Sequence, residues 1–139
     1  YMRKPIILQQ VIDSSDGVLS IAESGNKIPF QIKRVYYIYD FKTSKSKRGF
    51  HAHKSLKQVI FAISGFFTLT LDDGKEKINH LLNDPNKGIL IDRKIWHTME
   101  NFSENCIILV LASDTFKESD YIRDYKDFIS FIKNRNDLP

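Results

Sequence analysis

The sequence predicts an all-β fold, a sandwich or small barrel, closed by one C-terminal amphipathic helix. Three observations predict it. Short runs rich in β-branched and aromatic residues follow one another, separated by clusters of Asp, Asn, Ser, Gly and Pro. Strands this short and this frequent are the pattern of sandwiches and barrels. The pair Asp73-Gly74 stands between two such runs and supplies the positive φ angles of a tight hairpin. Near the end the apolar spacing becomes helical: Tyr121, Tyr125, Phe128 and Ile132 recur, with Ile122 and Ile129 beside them.

Taken in order, the strand candidates are 6–12, 18–22, 30–39, 49–53, 57–63, 66–71, 76–82, 88–91, 97–101 and 106–112. Between them, Asp13 to Gly17, Asp72 to Gly74 and Asn83 to Gly88 carry the residues that turn a chain. Thr115-Phe-Lys-Glu118 has the form of a capping box, in which a hydroxyl and a carboxylate satisfy free backbone donors at a helix start. The helix that follows is expected on the outside of the sheet, its aromatic stripe serving as anchors.

Composition narrows the function classes. The 139 residues fit one domain spanning 1–139. Lys+Arg 21 against Asp+Glu 17 gives a net charge of +4, with 27% charged and 42% hydrophobic residues, ordinary for a soluble globular protein. No run approaches the ~20 apolar residues of a membrane helix, and the N-terminus has no signal-peptide core. A cytoplasmic location and no membrane partner are expected. The sole cysteine, Cys106, allows no internal disulfide and fits a reducing compartment. Lys42, Lys45, Lys47 and Arg48 make a basic run. No nucleic-acid-binding motif accompanies it, so a solvated loop is the better reading, and a further one has Arg48, at the end of the run, facing an anionic small molecule.

The chemistry-bearing residues cluster. His51 and His53 lie two apart, so in a strand they share a face. His97 follows Trp96 at a later strand start, while His80 falls in a polar hairpin and reads as a surface residue. A metal site and an acid–base site are both open to such a set. Three imidazoles can hold zinc. Yet Gln58 stands where a carboxylate would help, and Arg48 opposes a cation. Without metal, neutral imidazoles near Arg48 suit proton abstraction beside a carbonyl, where an enediol needs donors or positive charge. In Lys33 to Asp40, alternation puts Tyr37 and Tyr39 on one face and Arg34 with Tyr36 on the other. A phenol there could serve as an acid or stack on a base or sugar.

Gly49, His51, His53, Gln58 and Gly65, with His97 and Asn101 later, resemble the two-part signature of the cupin superfamily. That resemblance implies a double-stranded β-helix, or jelly-roll barrel, with the histidines converging inside. Asp92 and Lys94 occupy the positions where the second part normally has Pro and Gly. Ile32 to Ile38, Arg48-Gly-Phe-His-Ala-His-Lys54, Trp96-His97, and Leu111 to Asp114 through Asp120 to Arg123 together resemble the sugar 3,4-ketoisomerases. These act on dTDP-4-keto-6-deoxyglucose.

The resemblance implies a homodimer, no metal or other cofactor, and a dTDP-4-keto-6-deoxyhexose in the barrel mouth. The keto group would move from C4 to C3 through an enediol. Carried over, the roles are His51, His53 and Tyr37 as catalytic residues and Arg34, Arg48, Gln58 and His97 as substrate contacts, with His53 the favoured base. The competing readings are a dTDP-4-keto-6-deoxyglucose epimerase, a metal-dependent cupin oxygenase, and a non-catalytic sugar-binding module.

Overall fold

A computed structural model describes residues 2–136, with side chains through 134. Two five-stranded sheets face each other. The first has the order β1 (Pro5–Ile7), β11 (Lys87–Ile91), β8 (Gln58–Ser64), β13 (Ile107–Ala112), β6 (Arg34–Ile38). The second runs β10 (Lys77–Leu82), β9 (Phe67–Asp72), β12 (Trp96–Glu100), β7 (Arg48–His53), β14 (Tyr121–Ile122). All pairings within both sheets are antiparallel. This is the jelly-roll barrel of the cupin fold. A separate hairpin, β2 (Gln9–Asp13) with β3 (Gly17–Ile21), and a short pair, β4 (Glu23–Ser24) with β5 (Lys27–Ile28), complete the strands among the described residues.

The inward rows explain where the core ends and the site begins. Ile60, Ala62, Phe67, Leu69, Met99, Phe102 and Ile108 fill one end of the barrel as a continuous apolar cluster. Two residues along the same rows, Gln58 precedes Ile60, His97 precedes Met99, and Tyr36 precedes Ile38. Strand alternation therefore carries polar groups into the other end on the same sheet faces that build the core. The outer face of the first sheet is covered by the N-terminal segment, with Leu8, Ile28, Phe30 and Ile32 against Val59, Phe61 and Leu111.

Several elements differ from the sequence-based expectation. The run 6–12 divides at Leu8, whose backbone N–H donates to the Asn86 carbonyl and whose carbonyl accepts from the Asn86 side chain. Only 34–38 of the run 30–39 pairs as a strand, because Phe30 and Ile32 are used to cover the sheet. The hairpin between β9 and β10 forms, but its turn holds four residues, since Asp72 pairs with Lys77. Only Gly74 takes positive φ there, and Asp73 accepts from the Lys75 and Glu76 N–H groups.

The helix α1 spans Tyr125–Asn136 and begins later than the Thr115–Glu118 box predicts. Asp124 caps it, accepting from the Asp127 N–H at 3.1 Å. Thr115 lies before a 3-10 turn at Glu118–Asp120, which Glu118 opens, and Tyr121 and Ile122 pair with β7 as a strand. The helix does pack outside the sheet. Phe128 lies against Ala52 and Trp96, which are adjacent in sequence to the histidines, and against Ile122, the strand partner of Ala52. No helix among the described residues is long and apolar enough to cross a membrane.

Candidate active site

Three imidazoles meet at the polar end of the barrel. His51 and His53 come from β7 and His97 from β12, where His97 pairs directly with His51. Their ring centroids lie 4.5 Å (His51–His97), 5.0 Å (His51–His53) and 5.8 Å (His53–His97) apart. The register slips beside this pair: Thr98 faces Gly49, so Phe50 is extra on β7. This bulge sets the direction of His51, as bulges beside sites do. Gly49 is demanded twice over. Its φ is +88°, and a Cβ there would come within 2.8 Å of the His97 carbonyl oxygen.

Hydrogen bonding selects the tautomers. His51 Nδ1 lies 3.1 Å from the Gly49 carbonyl oxygen, and His97 Nδ1 lies 3.3 Å from that of Ile95. A carbonyl only accepts, so in each ring Nδ1 carries the proton and Nε2 keeps a lone pair. Burial lowers the pKa of all three histidines; Arg123 and Arg48 add to it at His51, and the neighbouring imidazoles add to it at His53 and His97. His53 is pushed down to about 3, by desolvation first and then by His51, Arg34 and Arg123. At neutral pH the cluster is a set of uncharged bases.

His51 and His97 border a cavity of about 320 Å³, together with Arg34, Tyr36, Arg48, Gln58, Tyr121 and Arg123. His53 sits deeper, 2% exposed, and faces a second cavity of about 520 Å³ that shares Arg34 and Tyr121 with the first. Gln58 Nε2 donates to the Tyr36 hydroxyl at 2.6 Å. With its oxygen already accepting, the phenol has its own proton free to donate. Burial raises its pKa to about 12, so it remains a donor throughout the physiological range. Arg34 has a buried Nε without a hydrogen-bond partner, and its guanidinium lies 5.1 Å from the Tyr36 ring centre. Arg123 stacks on Tyr121 at 4.2 Å while paired with Glu118.

Of the residues expected at the site, six come together: Arg34, Arg48, His51, His53, Gln58 and His97. Tyr37 does not. It points to the outer face of β6, 63% exposed and stacked on Tyr39. Tyr36 takes its place, being the tyrosine on Arg34's side of the strand. Arg34 and Tyr37 were incompatible as joint site residues by alternation alone. Tyr121, Arg123 and Asp120 were missed because the helical spacing claimed that segment. His80 is half-buried, its Nε2 2.7 Å from the Met2 carbonyl oxygen, rather than a free surface residue. The ligand atoms of His51, His53 and His97 lie within 4.8 Å of one another and could in principle surround a cation. Among the described residues no carboxylate belongs to that group; the nearest, Asp120, lies 3.5 Å from His53 Nδ1, and Arg34, Arg48 and Arg123 make the surroundings positive, a poor setting for a cation.

The family model FdtA: WxcM-like, C-terminal matches residues 3–133. The chain belongs to the FdtA family. One relative in it, a TDP-4-oxo-6-deoxy-alpha-D-glucose-3,4-oxoisomerase of Aneurinibacillus thermoaerophilus, is 44% identical over 133 residues, 96% of this chain and 94% of that protein. Among solved structures, a 3,4-ketoisomerase from Helicobacter canadensis superposes with a TM-score of 0.91 at 40% identity, covering 96% of this chain and 99% of that one. The 3,4-ketoisomerase QdtA from Thermoanaerobacterium thermosaccharolyticum, solved as a mutant with TDP-4-keto-6-deoxyglucose, gives 0.91 at 37% identity, covering 97% and 96%. The sequence resemblance to the sugar 3,4-ketoisomerases is thus the family relationship. The NovW epimerase of Streptomyces spheroides, at 15% identity and TM-score 0.69 over 84% of this chain and 66% of that one, shares the FdtA fold.

Proposed function

We propose that this protein is a sugar-nucleotide 3,4-ketoisomerase that moves the carbonyl of a dTDP-4-keto-6-deoxyhexose from C4 to C3, for deoxyamino sugar synthesis in the cytoplasm. The observation that carries the reading is a pair of neutral imidazoles, His51 and His97, each with Nδ1 held by a carbonyl and Nε2 left basic, bordering one cavity with the Tyr36 phenol and arginines, and with His53 packed against both. The family relationship points the same way. The isomerisation needs two proton movements. One takes the C3 hydrogen and returns a proton to C4. The other takes the O3 proton and supplies O4.

His51, at the cavity wall with Nε2 unprotonated, is the group for the carbon-bound proton, and His53 stands behind it. That order reverses the preference drawn from the sequence. Tyr36 and His97 face the same cavity and carry the oxygen-bound proton between O3 and O4. Removing a C–H beside a carbonyl leaves an enediolate. The Tyr36 hydroxyl and the guanidinium of Arg48 or Arg34 stabilise its charge, an effect worth most in a site shielded from water. The arginine left over is available to the diphosphate. Gln58 acts through Tyr36. No metal or other cofactor enters this scheme.

Kinetics of variants test it. His51→Asn should lower kcat by at least about 100-fold while TDP-sugar binding, followed by calorimetry, persists. Tyr36→Phe should also depress kcat, and Tyr37→Phe should leave it near wild type. Equal effects at positions 36 and 37 would refute the placement of the donor.

The protein is also proposed to work as a homodimer. The hairpin β2–β3 exposes Val11, Ile12, Val18 and Leu19, with Ile12 71% exposed, and its strands pair with neither sheet. β6 ends its sheet with Val35 and Tyr37 exposed, and Tyr39, just past the strand, is exposed beside them. An apolar hairpin and an apolar sheet edge on one molecule are what a two-fold interface requires.

A further inference from the structure

Among the described residues, His53 is the one side chain with two buried polar atoms that lack a hydrogen-bond partner. Its ring is almost wholly buried, and neither Nδ1 nor Nε2 has a hydrogen-bond partner among the described residues. Buried polar atoms without partners are rare enough to require an explanation. The nearest acceptor is the Asp120 carboxylate, with Oδ2 3.5 Å from His53 Nδ1. His51, His97 and Tyr121 pack on the remaining ring faces, and Arg34 and Arg123 supply the nearby positive charge.

Asp120 is held firmly. Its carboxylate accepts from the backbone N–H groups of Ser55 at 2.9 Å and Leu56 at 3.2 Å. Its own N–H donates to the Lys117 carbonyl, and its carbonyl accepts from the Lys54 N–H. These bonds fix an acceptor-only group directly beside one nitrogen of a neutral ring. We propose that Asp120 is a positioning residue for His53, holding Nδ1 as the protonated nitrogen and leaving Nε2, on the far edge of the ring, with the lone pair.

The opposite tautomer would set the Nδ1 lone pair against a carboxylate oxygen, which is repulsive. His51 and His97 are held in the same sense by backbone carbonyls at their Nδ1 atoms. Asp120 completes the set, so that all three imidazoles turn basic Nε2 atoms to the cluster. A contact of 3.5 Å is longer than a formed hydrogen bond, and such orienting contacts shorten when substrate fills a site. The catalytic consequence rests on the ketoisomerase reading; the tautomer does not.

The test has two arms. Nitrogen-15 NMR of the ring nitrogens in the wild-type protein without substrate should show His53 with a protonated Nδ1 and a lone-pair Nε2. The reverse pattern would overturn the inference without any variant. In the second arm, Asp120→Asn keeps its oxygen for the shorter bond from the Ser55 N–H, gives up the acceptor of the Leu56 N–H and presents an NH₂ to Nδ1, so the tautomer should reverse. With the ketosugar as substrate, kcat should then fall roughly 10- to 100-fold, KM changing far less, as for other orienting partners of a functional histidine. Asp120→Glu should recover the wild-type tautomer and part of kcat. A folded Asp120→Asn protein with unchanged tautomer and kcat would refute the role. If the wild type turns over no ketosugar, the ketoisomerase reading fails, while the NMR result still decides the role of Asp120.

Discussion

A histidine is a useful base near neutrality only if it stays unprotonated and presents a lone pair. Both conditions are met here by burial and by acceptors at Nδ1. The sign of the pH dependence follows. For each of His51, His53 and His97 the folded pKa lies below the ordinary value. The active, neutral form therefore persists to lower pH than for a free histidine. The pH profile of kcat/KM should be flat through about 6.5, the usual histidine pKa, and fall only below it. Stability shares the sign: below about 6.5 the unfolded chain takes up protons that the folded chain refuses. Tm should therefore be full above that value and decline as pH falls toward 3, where His53 titrates. A Tm that rises on acidification would contradict the buried, neutral cluster. At this scale the sequence was legible for the histidines, whose spacing of two fixes their common face. It put Tyr37 at the site on family likeness, whereas Tyr37 lies exposed and Tyr36, on the face that alternation shares with Arg34, lines the cavity.

Among the elements, β7 matters most, and its bulge was invisible in the sequence. The Gly-Phe-His-Ala-His run gives a strand, but only pairing with β12 shows that Phe50 is extra and adopts φ +60°. Gly49→Ala places a methyl against the His97 carbonyl oxygen and forces an L side chain into left-handed backbone. It should cost about 1–3 kcal/mol of stability in urea unfolding and lower kcat, since the strand that moves carries His51. Unchanged stability would mean that the bulge is not needed. The late helix start has a similar lesson. Thr115 and Glu118 match a capping pattern, but Asp120 is tied to the loop after β7 and Tyr121 to His53, so helix waits for Asp124. Local signals lost to long-range pairing there, whereas the Asp73-Gly74 hairpin, whose contacts are local, formed where the sequence puts it.

At the scale of the whole molecule, the barrel's two ends divide its work. One is apolar and holds the sheets together; the other is polar and opens to two adjoining cavities. A sandwich or barrel was legible because turn clusters and short strands recur through the chain, and the jelly roll came from the resemblance to the cupins; the covering of the first sheet by the N-terminal segment was not legible. The exposed hairpin gives the dimer its test. Light scattering should report about twice the 16.2 kDa chain mass, and charged residues at Ile12 and Leu19 together should yield monomers. A monomeric wild-type protein would refute that proposal. The central claim is that imidazoles in a cupin barrel carry protons for a ketosugar, and incubation with dTDP-4-keto-6-deoxyglucose in D₂O, followed by proton NMR, tests it most directly. The account predicts a new 3-ketone with solvent deuterium appearing at C4. An unaltered spectrum, or inversion of neighbouring carbons with the ketone still at C4, would contradict it.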